Sequence, residues 1–112
     1  AFLHDIDNIK PIPPDWFLGA AHTGASVHFH SNAVNMLIHG RKRWTLFAPR
    51  HRLYSTKHIV QWSKEDLPRM QGKAMHCMQE PGDVLFIPEQ WGHGTENLAE
   101  SVGYAMEFEF AV

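Results

Sequence analysis

The chain has 112 residues, 44% of them hydrophobic, and its ten Lys plus Arg against twelve Asp plus Glu give a formal net charge of -2. That length supplies one domain with a sizeable core, and the near balance of charge excludes a global field drawing the chain to nucleic acid or anionic lipid. A single cysteine, Cys77, excludes an internal disulfide and a thiolate metal cluster and favours a reducing compartment, cytoplasmic or nuclear, with no targeting pattern visible. No apolar run approaches membrane-spanning length. Nine histidines are many for this length and give the first hint of metal chemistry, although solvated surface histidines would look the same.

In chain order, PIPP at 11–14 imposes an extended path, and the run DWFLG at 15–19 is predicted as a strand or tight approach rather than a helix. Val27 to His30 alternates, Ala33 to Ile38 is apolar, His39-Gly40-Arg41 is a turn, and Lys42 to Phe47 is β-rich until Pro49; together these predict a hairpin. The most polar stretch runs from Ala48 to Lys73. Within it, Ser63-Lys64-Glu65-Asp66 carries a capping-box pattern that predicts the start of a short helix, soon perturbed by Pro68. Four further strands are predicted: Ala74 to Gln79, then Val84 to Ile87 after a Pro81-Gly82 turn, Trp91 to Leu98, and Val102 to Phe110. Short strands with turn signals at this spacing predict an all-β sandwich or barrel with one short helix in the central connection. Trp16, Trp44 and Trp91 are read as wall or core residues, and the alternation of Glu107 and Glu109 with Phe108 and Phe110 as a strand with one wet face.

Residues two apart on a strand project from the same side, so His28 and His30 of VHFH are positioned to share one ion. Metal sites of this type want a third protein donor. His93, in PEQWGHGTEN just after a proline-bounded strand, is the candidate; the plain alternative is two half-exposed strand histidines and a turn histidine. Alternation also puts Lys42, Trp44 and Leu46 on one side, with Asn35 and Leu37 of the preceding strand able to share it. A lysine there snorkels to the rim or holds an anionic ligand inside, because a buried ammonium without a partner is costly. The other reading is a solvated charge beside Arg41 and Arg43.

The runs DWFLGAAHTGASVHFHSNAVNMLIHGRKRWTLFAP and EPGDVLFIPEQWGHGTENL, in that order, resemble the JmjC family of iron- and 2-oxoglutarate-dependent oxygenases, particularly its small members that act on protein side chains. The likeness extends from Pro14 to Phe110. It implies a double-stranded β-helix, a cupin-type jelly roll, over residues 1–112. It also implies iron(II) held by His28, His30 and His93, and 2-oxoglutarate held through its far carboxylate by Lys42 with help from Asn35. Asn97 matches a family asparagine at the pocket edge. The family's chemistry converts 2-oxoglutarate and oxygen to succinate and carbon dioxide while placing a hydroxyl on a C–H bond, here of a protein or peptide substrate.

Three departures from the family pattern stand out. His30 occupies the position of the usual carboxylate ligand, leaving three neutral imidazoles, an arrangement also known for zinc sites that activate water. Ala25 and Ala105 stand where related enzymes often place a hydroxyl against the cosubstrate, and Thr23 and Tyr104 are the candidates to replace it. The alternatives to an oxygenase are a lapsed JmjC-like binding or scaffold module with a structural metal or none, and a catalytic metal working without 2-oxoglutarate. At 112 residues the chain is shorter than most complete family members and reads as the core or a fragment of a longer protein.

Overall fold

The computed structural model describes residues 9–11 and 14–110. Among these, nine strands form two antiparallel sheets: β1 (Ile9–Pro11), β2 (Asp15–Gly19), β3 (Gly24–His28), β4 (Asn32–His39), β5 (Lys42–Phe47), β6 (Ala74–Gln79), β7 (Val84–Ile87), β8 (Gly92–Asn97) and β9 (Ser101–Phe110). One sheet runs β3-β8-β5-β6. In the other, β9 has β4 on one side, followed by β7, and both β1 and β2 on the opposite side. The chain alternates between sheets as it winds, which is the double-stranded β-helix expected from the sequence. Among the described residues no helix is long and apolar enough to cross a membrane.

The residues meant to form a hairpin do form two strands, but β4 and β5 do not pair. β4 bonds to β7 and β9, and β5 to β6 and β8. The turn between them carries the chain from one sheet to the other. Gly40 makes the corner with φ +99° against the backbone of Glu100 and Ser101, where a β-carbon has no room. A tight glycine turn between apolar runs gives the same local signal whether the strands pair or change sheets.

The central connection holds α1 (Ile59–Glu65) and a 3-10 turn over Leu67–Met70. The Ser63–Asp66 pattern closes this helix rather than opening it. His58 caps the start by accepting the Val60 N–H on its Nδ1 (3.2 Å), and Pro68 sits in the first positions of the 3-10 turn, where its missing N–H has no partner to lose. The helix begins where it does because Ile59 and Trp62, three apart, form its apolar face. That face lies on the outer side of β3, β8 and β5 with Val27 and Phe47, a cluster in which no member exceeds 2% exposure. Gly94 of β8 makes the close docking possible, since a β-carbon there would stand 2.8 Å from Ile59 Cδ1.

Between the sheets lies a second apolar cluster of Ala33, Trp44 and Ile87, against which Leu46, Cys77, Leu85 and Trp91 pack. Trp44 and Trp91 are therefore structural as read, whereas Trp16 is 68% exposed. It lies on edge strand β2 opposite Tyr104, edge to face with that ring at 5.0 Å, on the outer side of the five-stranded sheet.

Candidate metal centre and anion pocket

The inner side of the β3-β8-β5-β6 sheet carries the polar residues that the outer side lacks. Register sets Lys42 opposite Asn97, Trp44 opposite Thr95, and Leu46 opposite His93. On β3 a bulge between Ala25 and His28 lets residues three apart pair with Thr95 and His93 in turn. Ser26 and Val27 take the outer side: the Ser26 hydroxyl donates to the Lys57 carbonyl at 2.7 Å, and Val27 joins the cluster under α1.

His28 is the last residue of β3, and His30 follows in the connection to β4 rather than in the strand. The two rings still meet, with centroids 5.2 Å apart, because the connection is braced from the β7–β8 turn. The Gln90 N–H donates to the His30 carbonyl at 3.0 Å, and the Glu89 N–H to Asn32 Oδ1 at 3.0 Å. Gln90 holds φ +67° to do this, a left-handed conformation unusual for a residue with a side chain. His93 completes the group from β8, 3% exposed, and one ring nitrogen from each of the three lies within 4.8 Å of the others.

The hydrogen bonds of these rings decide their protonation. His28 Nδ1 lies 2.7 Å from the Ser26 carbonyl, His30 Nδ1 2.7 Å from the Ser31 carbonyl, and His93 Nδ1 3.0 Å from the Trp91 carbonyl. A carbonyl only accepts, so each Nδ1 carries the proton and each Nε2 of the neutral ring offers a lone pair. His30 Nε2 and His93 Nε2 stand 3.1 Å apart, a separation at which two lone pairs repel unless a cation or a proton lies between them. Burial pushes the His93 imidazole down to about 4 and lowers that of His28 as well, which keeps both in the neutral, metal-binding form at physiological pH. The donor set thus fits a divalent transition metal.

A cavity of about 390 Å³ opens beside the histidines and reaches Lys42 at its far side. Lys42 is 6% exposed, and among the described residues its ammonium has no hydrogen-bond or ion-pair partner; it lies 3.6 Å from the centroid of the Phe17 ring and 5.9 Å from that of Trp44. Burial lowers its pKa from the ordinary 10.5 to about 8. It is neither a solvated charge nor a snorkelling one. The Asn97 amide, opposite Lys42 in register, donates to Thr23 Oγ1 at 3.2 Å and leaves its buried Oδ1 without a partner.

Asn35 faces the cavity from β4, and what orients it is a residue that sequence reasoning passed over. Gln79, 1% exposed, accepts the Trp44 Nε1–H at 2.9 Å and donates to the Asn35 carbonyl (3.1 Å) and to Asn35 Oδ1 (3.2 Å). With its oxygen occupied, the Asn35 amide turns its NH₂ toward the cavity. Ala25 and Ala105 line the same space, and so does Thr95, whose Oγ1 accepts the Ala25 N–H at 3.2 Å. Thr23 lines it too, while Tyr104 packs on Trp16 outside.

Glu107 lines the cavity with its side chain 40% exposed, so the wet face expected of Glu107 and Glu109 is present and includes the mouth of the site. Its neighbour Phe108 is the one turned outward, 4% exposed and stacked on Phe86 at 6.1 Å.

The model of the JmjC domain family matches residues 13–111. The chain is 33% identical over 95 residues to the human JmjC domain-containing protein 8, covering 80% of this chain and 36% of that protein. It is 28% identical over 118 residues to the bifunctional arginine demethylase and lysyl-hydroxylase psr-1 of Caenorhabditis elegans, covering 80% and 28%. In fold it resembles the Escherichia coli ribosomal oxygenase YcfD in complex with cobalt and succinic acid, with TM-score 0.64, 18% identity, and coverage of 94% of this chain and 24% of that one. The chain spans about a third of the length of the curated relatives it matches first.

Proposed function

Because the chain belongs to the JmjC domain family, we propose that it is a metal-dependent 2-oxoglutarate oxygenase that hydroxylates a side chain of a protein or peptide. One observation carries this reading: a single cavity joins three imidazoles with open lone pairs to a buried, unpartnered ammonium. A packed scaffold gains nothing from burying Lys42 without a counterion. A dicarboxylate that reaches from the metal to Lys42 gives both features a use. The neighbours support it in kind: psr-1 acts on arginine and lysine side chains by its name, and the YcfD complex holds a divalent metal with succinate, the acid that 2-oxoglutarate becomes.

The metal would be held by His28, His30 and His93, with iron(II) the catalytic choice and zinc the alternative. When bound, iron(II) would let dioxygen oxidise 2-oxoglutarate and the substrate together, one oxygen atom entering succinate as carbon dioxide leaves and the other converting C–H to C–OH. The chain's own residues do the rest. Lys42 neutralises the far carboxylate, Asn35 donates its amide protons into the same space, and Asn97 Oδ1 and Thr95 line the wall beside them. The Phe17 ring, 3.6 Å from the ammonium, covers one side of it, and the cavity leaves the other side open to an anion.

A second reading has an observation of its own. Ala25 and Ala105 offer no hydroxyl to the cosubstrate, and all three metal donors are neutral, which suits a binding module with a structural zinc. Succinate release under oxygen separates the two. Purified protein loaded with iron(II) should release succinate from 2-oxoglutarate, and His28→Ala and Lys42→Met should each reduce this to the metal-free background. Bound zinc with no release by the wild type would favour the binding module.

A further inference from the structure

We propose that Glu107 is the charge partner of the tri-histidine centre, a positioning residue that holds the His30 segment through the Ser31 hydroxyl and supplies, beside the His30 ring, the negative charge that the three imidazoles lack. The inference rests on the metal-centre reading above. Glu107 is placed for it: Oε1 lies 3.2 Å from His30 Nδ1, within ion-pair distance, while the Nδ1–H itself is directed to the Ser31 carbonyl at 2.7 Å. The Ser31 hydroxyl donates to the same Oε1 at 3.3 Å, which ties the carboxylate to the segment that bears the ligand. Strand register holds the arrangement from the other side, since β9 pairs Glu107 with Ala33 and Asn32 with Phe108, two residues along from His30 and Ser31.

The alternation of β9 sharpens the point. Phe108 is buried against Phe86 on the other side of the strand, and the Glu107 side chain, 40% exposed, stands at the mouth of the cavity beside His30. The His28 and His93 Nδ1 protons go to backbone carbonyls, and among the described residues neither ring has a carboxylate within ion-pair distance, although the charge of Glu107 also favours the protonated form of His28. His30 is also the ligand at the position where the JmjC pattern has a carboxylate. A carboxylate beside a ligating imidazole raises its basicity, and here the Ser31 carbonyl fixes the tautomer while Ser31 also anchors the carboxylate. Glu107 therefore returns through the His30 ring the charge that the ligand itself does not carry.

Cobalt(II) titration of the purified protein, read by calorimetry and by the visible absorption of the bound ion, tests this without any turnover. Glu107→Gln keeps the shape and an acceptor oxygen but removes the charge, and should weaken cobalt affinity about 10–100-fold with the melting temperature of the metal-free protein little changed. In a His30→Asp background, where the ligand bears its own charge, Glu107→Gln should have a far smaller effect or strengthen binding. Unchanged affinity in Glu107→Gln, or an equal loss in both backgrounds, would overturn the proposal. Should Glu107→Gln fail to fold, Ser31→Ala carries the test, because loosening the carboxylate must weaken cobalt binding; a folded Ser31→Ala protein with wild-type affinity would count against it equally. A wild type that does not bind cobalt, or that binds it as well after His30→Ala, would instead remove the metal-centre reading itself.

Discussion

The two sides of the β3-β8-β5-β6 sheet are built from neighbouring residues and do opposite things. Outward, Val27, Phe47, Ile59 and Trp62 make a closed apolar layer between sheet and α1, each at or below 2% exposure, with Trp62 Nε1 its one polar atom left without a hydrogen bond among the described residues. Inward, Lys42, His93, Thr95 and Asn97 are nearly as buried, yet among the described residues the Lys42 ammonium has no counterion, Asn97 Oδ1 has no donor, and three imidazole lone pairs converge. Val27 and His28, or Leu46 and Phe47, show the division one residue apart. One side stabilises the sheet, and the other gives up part of that stability to keep an ammonium and three imidazole lone pairs open to a ligand. Substitutions on the two sides should therefore move stability in opposite directions.

The largest effect belongs to the outer side. Trp62→Ala should cost about 3–5 kcal/mol in chemical denaturation, with metal affinity of the remaining folded molecules unchanged. On the inner side Lys42→Met should raise the stability of the ligand-free protein by something on the order of 1–3 kcal/mol at neutral pH, while calorimetry with an inert divalent metal shows 2-oxoglutarate binding lost. The sign follows from the pKa of about 8 in the folded chain against 10.5 when unfolded. Between those values the unfolded state binds more protons, so wild-type stability should climb as pH rises from 8 to 10.5 by an amount that Lys42→Met lacks. Dicarboxylate binding should run the other way, strongest below pH 8 and weakening above it.

Gly94→Ala sharpens the comparison where the helix meets the sheet. Its methyl group must push Ile59 Cδ1 away from 2.8 Å, and a cost of about 1–3 kcal/mol is expected in thermal melts, with the inner side untouched. The smallest effect should come from the rim. Arg41 and Glu80 pair at 2.9 Å with both side chains about half exposed, so Arg41→Ala should change stability by less than about 1 kcal/mol and leave ligand binding alone.

Much of this division was legible in the sequence, because glycine and proline punctuate every strand and period-two alternation sorts residues between two sides. Alternation placed Lys42 with Trp44 and Asn35 with Leu37, and the register of β5 and β4 bears out both pairings. What alternation does not say is which side faces inward. Trp16, read as a wall or core residue, lies on an open edge strand at 68% exposure, whereas the wet side given to Glu107 and Glu109 holds: the Glu107 side chain is 40% exposed, Glu109 is exposed and Phe108 is buried. The β4–β5 turn failed as a hairpin for a similar reason, since only long-range pairing with β9 and β8 decides that the chain changes sheets there. Ser63–Asp66 matched a helix start by its polar spacing, but Ile59 and Trp62 mark the real first turn by their burial. The role of Gln79 had no signal. The sequence places it at the end of the predicted strand Ala74 to Gln79, as the fold does, but its role exists only because β6 sets it between Trp44 and Asn35.

Diffraction from crystals grown with cobalt(II) and 2-oxoglutarate, collected at the cobalt absorption edge, tests the central claim most directly. The expected map has one anomalous peak at bonding distance from the Nε2 atoms of His28, His30 and His93, about 2.1 Å by analogy with other imidazole–metal bonds, and dicarboxylate density running from it to Lys42 Nζ. A cobalt peak elsewhere, or a tri-histidine peak with Lys42 still facing only Phe17 and Trp44, would contradict it.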